Sequence, residues 1–150
     1  MDAVTYPDSG VSRFVNEKLV PLRVPFNHEP LSQQFQVKWT PTLVIADDKG
    51  NEHHRTVGFL APEDLIPSLL LGKAKTDFDL DQFPGAIATL EVILNEYRNS
   101  GSAPEAIFLY GVSRYKNTHD PKPLKEAYEK LKAEYPESEW TKRAYPYRLL

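Results

Sequence analysis

The feature that most constrains this chain is a repeat in its second half. The segment Ala86 to Ala106, AIATLEVILNEYRNSGSAPEA, matches Leu124 to Ala144, LKEAYEKLKAEYPESEWTKRA, at an offset of 38. Glu96-Tyr97 falls on Glu134-Tyr135, Ile93 on Leu131, Leu90 on Tyr128, Ser100 on Ser138 and Ala106 on Ala144. Upstream, Ala74 and Phe78 match Gly111 and Tyr115 at an offset of 37, so one residue is gained in between, in the loop 117–123. Bulky residues recur where helices pack, and small ones recur where helices approach closely. A repeat of this length is one supersecondary unit that buries its apolar face only by stacking on a neighbour. The pattern therefore predicts helical hairpins, with breaks at 81–84, 98–102, 117–123 and 136–138.

The first half reads differently. Val11, Phe14, Val15 and Leu19 share one helical face, and Asp8 or Ser9 can cap that helix. LVPLRVPF at 19–26 is apolar and β-branched, which predicts a short strand with Pro21 and Pro25 at its ends or on an edge. Residues 30–36 suit about two helical turns, with Pro30 in first position. TLVIA at 42–46 is a buried-type strand, DDKGN at 47–51 a turn and EHHRTVGF at 52–59 the returning strand of a hairpin. Glu63 and Asp64 open the next helix, where acidic groups complement the helix dipole. The predicted architecture is an α/β domain over 1–73 and an all-α domain over 74–150, with a helix at 62–80 shared across the boundary.

Composition removes whole classes of function. The 150 residues include no cysteine, so disulfides, thiolate nucleophiles and thiol redox chemistry are excluded for these residues. The net charge is −3, with no basic half, which argues against nucleic acid as a partner. No apolar run is long enough to span a membrane. Met1-Asp2-Ala3 lacks the basic and apolar regions of a secretory signal, so the chain as written reads as cytoplasmic; a leader upstream would change that.

Two resemblances add to this reading. Helical hairpins of this period, with small–bulky alternation and the ending E-Y-P-x-S, resemble tetratricopeptide (TPR) repeats. The usual period is about 34, so the second copy carries a longer internal turn. The family's proline after the second helix is Pro136 here, with Arg98 in the first copy. The resemblance implies an all-α, TPR-like stack that binds proteins.

The stretch Val37-Lys38-Trp39-Thr40-Pro41-Thr42-Leu43-Val44-Ile45, then Asp47-Asp48-Lys49-Gly50, then Arg55-Thr56-Val57-Gly58-Phe59 resembles the C-terminal part of a thioredoxin fold. The resemblance implies that Pro41 follows a cis peptide bond and that the Thr40 backbone contacts an extended peptide. It also implies a redox C-x-x-C motif, a first strand and helix, and a central strand, none of which these residues contain. MDAVTYPD is similar to the segment that follows that motif. The expectation is therefore a natural protein that is longer at its N-terminus.

The central strand would lie between the strands at 20–25 and 42–46. Leaving four or five backbone groups buried and unpaired, at about 1–3 kcal/mol each, would rival a domain's whole stability of ~5–15 kcal/mol. A chain of these 150 residues is accordingly expected to be marginal, to form a homodimer through an unpaired sheet edge, or to be prone to aggregation.

The functional expectation is a non-catalytic thioredoxin-like and TPR-like module that binds a protein or peptide partner. The alternative is the C-terminal portion of a thioredoxin-family thiol–disulfide oxidoreductase. The candidate contact loop is Thr40-Pro41, and Trp39, Tyr110 and Tyr115 are the candidates for an aromatic groove. No catalytic residue, metal ligand or cofactor site is predicted. His53 and His54 are adjacent on a strand and point to opposite faces, while His28 and His119 are isolated. Asp77, Asp79 and Asp81 lack the Gly and Glu that a calcium loop requires. Ser9, Ser12 and Thr5 form no nucleophile motif. Glu126 and Lys130 belong to a solvated helix face, and Tyr97, Tyr128 and Tyr135 are read as inter-helix packing.

Overall fold

The computed structural model describes all 150 residues. It is a mixed α/β arrangement followed by helices, 57% helical overall, and it divides into two compact units, Met1–Ile66 and Pro67–Leu150. The division falls inside a helix, between Ile66 and Pro67.

The first unit opens with α1 (Ser9–Lys18), whose N-terminus is capped by the Asp8 carboxylate accepting from the Val11 amide at 2.9 Å. Val11 is 1% exposed, and Thr5, fully buried, donates its hydroxyl to the Leu60 carbonyl at 2.6 Å. A single turn, α2 (Leu31–Gln34), stands where two turns were expected. The hairpin follows as β1 (Thr42–Ala46) and β2 (Glu52–Val57), paired antiparallel with Thr42 opposite Val57 and Ile45 opposite His54. Its turn is built by Asp47, whose carboxylate accepts from the amides of Lys49 and Asn51 and from the Asn51 side chain, at 2.8–2.9 Å. Gly50 sits at φ +81°, the left-handed region that glycine enters without steric cost.

One expected element is absent. Residues 20–25 form no strand; the chain there is irregular and solvent-exposed, and the sheet has two strands only. Pro21 and Pro25 supply no amide hydrogens, and no neighbouring strand in the sheet pairs with the segment. The apolar, β-branched composition that suggests a strand reports side-chain preference, which pairing partners must complete.

α3 (Pro62–Asp79) runs through the division between the units and contains Pro67. The second unit then has α4 (Phe83–Glu96), α5 (Ala103–Thr118), α6 (Lys122–Glu134), α7 (Glu139–Ala144) and a 3-10 turn over Tyr145–Leu149. From α4 onward each helix packs on the next.

The repeat is visible in the geometry. Leu90, Ile93 and Leu131 are wholly buried, and so are Ala106 and Ala144. α4 and α6 end alike: the Tyr97 amide donates to the Ile93 carbonyl and the Tyr135 amide to the Leu131 carbonyl, at 2.9 and 2.8 Å. Asp81 and His119, also 38 apart, both take left-handed backbone conformations, at φ +59° and +61°. The extra residue of the second copy therefore lies between Tyr115 and His119, where α5 runs further beyond its aromatic residue than α3 does beyond Phe78.

Small residues do what the repeat requires of them. A Cβ built on Gly111 would stand 2.6 Å from the Ala127 Cβ and 2.8 Å from the Pro123 carbonyl oxygen, so α5 and α6 meet there at backbone distance.

Candidate functional site

The site begins where β1 begins. The loop before it is tied at two points. The Thr42 hydroxyl donates to the Trp39 carbonyl at 2.6 Å, and the Gly58 amide donates to the Pro41 carbonyl at 2.8 Å. The Thr40–Pro41 peptide bond is cis, as is Glu29–Pro30. Between the two ties, Thr40 is exposed and neither its amide nor its carbonyl has a partner in the chain. Trp39 beside it is 67% exposed, so its ring is a surface feature and not core packing. Val57 and Phe59, at the end of the opposite strand, are 54% and 60% exposed. Nothing in the sequence marks them as a surface, because an apolar strand end looks the same whether it is covered or bare.

The edge beyond the loop is open. Hydrogen-bonded and non-bonded pairs alternate along an antiparallel ladder. The Gly58–Pro41 bond makes Leu43–Thr56 and Ile45–His54 the bonded pairs, so the amides and carbonyls of Thr42 and Val44 face away from β2. No strand lies on that side. The far end of the hairpin is polar. His53 Nε2 lies 3.3 Å from the Asp47 carboxylate, and Asn51, chiefly through its side chain, holds that carboxyl well below the usual carboxylate range. Arg55 bonds Glu52, which lowers the Glu52 pKa and raises its own.

In the second unit, Tyr110 and Tyr115 do not share a surface. Five residues apart on α5, they point about 140° from each other around the helix. The Tyr110 hydroxyl donates to Glu91 of α4 at 2.8 Å, and the Arg114 guanidinium stands 5.5 Å from its ring. Burial first, then the bond to Glu91, raises its pKa, so the phenol stays protonated at neutral pH. Tyr115 instead meets His119 edge-on.

A different groove, of about 390 Å³ and open to solvent, is lined by Tyr128, Pro136, Thr141, Lys142 and Tyr145. Tyr145 is gripped by the Arg148 guanidinium 3.9 Å over its ring and meets Tyr128 edge-on. The sequence marks Tyr128 and Pro136 as repeat positions but gives no sign that a groove lies between them.

No group of three or more His, Asp or Glu side chains is arranged to hold a metal ion, and Asp77 is engaged by Lys73 at 2.7 Å. No helix is long and apolar enough to cross a membrane. No protein-family model matches this chain, and neither a curated protein nor a solved structure matches it.

Proposed function

We propose that this chain is a non-catalytic protein-binding module, thioredoxin-like in its first unit and TPR-like in its second, that takes an extended peptide along the Trp39–Thr40–Pro41 loop and the β1 edge. The observation that carries the reading is the run of unpaired backbone groups at Thr40, Thr42 and Val44 beside an exposed Trp39. An extended peptide added to such an edge gains main-chain hydrogen bonds, and an exposed indole supplies apolar contact at low entropic cost. With no cysteine in these residues, thiol exchange has no attacking group here.

A peptide array probed with the full chain tests this. Extended peptides rich in β-branched residues are expected to bind, and Trp39→Ala and Val44→Pro to abolish binding while the far-ultraviolet circular dichroism stays unchanged. Binding that survives both substitutions would move the site elsewhere.

A second reading draws on a separate observation: Val20 and Leu22 are 99% and 77% exposed, as residues of a sheet lacking a member would be. In that reading the chain is the C-terminal portion of a thioredoxin-family oxidoreductase. The DNA upstream of the Met1 codon tests it; an in-frame extension without C-x-x-C and a strand would end it.

A further inference from the structure

The two edges of the hairpin differ. β2 carries Glu52 and Arg55, and Arg55 is tied both to Glu52 and to the Phe35 carbonyl. Charged side chains of this kind discourage a further strand. β1 is Thr-Leu-Val-Ile-Ala with no charge at all. Its outward-facing residues are Thr42 and Val44 and, because the Asp47 amide bonds the Asn51 carbonyl beyond the irregularity, Ala46 as well. That is an unguarded edge three outward residues long.

The same chain carries a segment shaped to fill it. Residues 20–25 lie in no helix, turn or strand, and no backbone group from Val20 to Val24 is hydrogen-bonded within the chain; Val20 and Val24, each before a proline, are biased toward extended backbone. The whole segment is exposed, and its apolar residues recur in sequence with a period of two: Val20, Leu22, Val24 and Phe26, at 99%, 77%, 40% and 54% exposure. Between them stand Pro21, Arg23 and Pro25. In extended backbone, successive residues turn their amide and carbonyl to opposite edges. Val20, Leu22 and Val24 thus present complete donor–acceptor sets on one edge. The other edge has lost two of its three amide hydrogens to proline. The segment can be paired from one side and resists pairing from the other, which is the chemistry of a terminal strand.

We propose that residues 20–25 of a second copy of this chain close the β1 edge, and that the exchange is reciprocal about a two-fold axis. Both complementary surfaces lie on one chain, so a closed dimer satisfies both and leaves no open β1 edge to propagate. Three outward residues meet three. The proposal rests on the same edge as the peptide reading and gives that edge its resident occupant; array peptides then bind by competing with it.

Sedimentation and light scattering on the full chain over a range of concentrations test this. The expected mass is twice 17.1 kDa. Leu22→Pro, which removes an amide from the pairing edge, is expected to weaken the dimer by roughly tenfold or more through two lost bonds per dimer. Arg23→Pro, one residue along on the proline edge, is expected to leave it unchanged. Val44→Pro is expected to act like Leu22→Pro. Both segment positions lie in exposed chain with no backbone hydrogen bond, and Arg23→Pro gives up only a surface ion pair with Asp2, so the fold tolerates them, and an unchanged melting temperature verifies it.

A wild type that stays monomeric overturns the proposal, as do equal effects of Leu22→Pro and Arg23→Pro. A monomer that binds array peptides through Trp39 overturns this inference alone. A dimer insensitive to Val44→Pro pairs elsewhere and also overturns it.

Discussion

Gly111→Ala puts the helix stack to its sharpest test. The added methyl would lie 2.6 Å from the Ala127 Cβ and 2.8 Å from the Pro123 carbonyl oxygen. Non-bonded carbon atoms rest at about 3.5–4.0 Å, so the overlap is about 1 Å. Neither neighbour can swing aside, since one is a methyl fixed to the backbone and the other is the backbone itself. Relief requires α5 and α6 to separate, which loosens the cluster of Ile107, Ala127, Tyr128 and Leu131. Overpacking of this kind costs about 1–3 kcal/mol, and the rigid neighbours place it near the upper end. Alanine regains about 1 kcal/mol over glycine in a helix interior. The net is a loss of about 2 kcal/mol, which in a unit of this size lowers the melting temperature by about 8–16 °C.

Thermal melts followed by circular dichroism read the change directly. Gly101→Ala is the matched control, because its Cβ meets nothing within 4 Å; it should melt at or slightly above the wild type. If Gly111→Ala also melts at or above the wild type, α5 and α6 do not touch at backbone distance.

Four further outcomes are expected. Ile93→Ala and Leu131→Ala, at fully buried matching positions of the repeat, should each cost about 2–5 kcal/mol in urea unfolding. Ser113→Ala should stabilise by about 1 kcal/mol in the same assay, because the Ser113 hydroxyl is buried with no partner in the chain. The carboxyls of Asp47 and Glu52 are held below their ordinary values, so their contribution is complete above the ordinary carboxylate pKa of about 4 and fades as pH falls through the folded values. Unfolding measured across the acid range should show that decline, and Asp47→Asn should flatten it. Trp39→Ala should change stability by less than about 0.5 kcal/mol, since the ring is mostly solvent-exposed, while removing peptide binding.

The parts of the molecule legible in its sequence are those governed by neighbours a few residues away. The Asp8 cap, the Asp47 turn and the helix breaks depend on local hydrogen bonds, and they lie where the residue types put them. The helical stack was legible because a repeat states each packing position twice: Ile93 with Leu131, and Ala106 with Ala144. Residues 20–25 have the composition of a strand without being one, because a strand is a relation between two segments and β-branched composition describes only one of them. Tyr110 and Tyr115 are alike in type, but their spacing on a helix separates them.

The sequence by itself determined that thiol chemistry is closed to these residues, that one half holds a β-hairpin among helices, and that the other stacks helices in a repeat. Composition and periodicity are enough for that, because they act through covalent inventory and local geometry. The tertiary structure alone decided that Trp39 is bare, that Thr42 and Val44 face an empty edge, and that Gly111 sits where two helices meet backbone to backbone. Burial and pairing are properties of what lies across from a residue, and the linear order of a chain does not contain them.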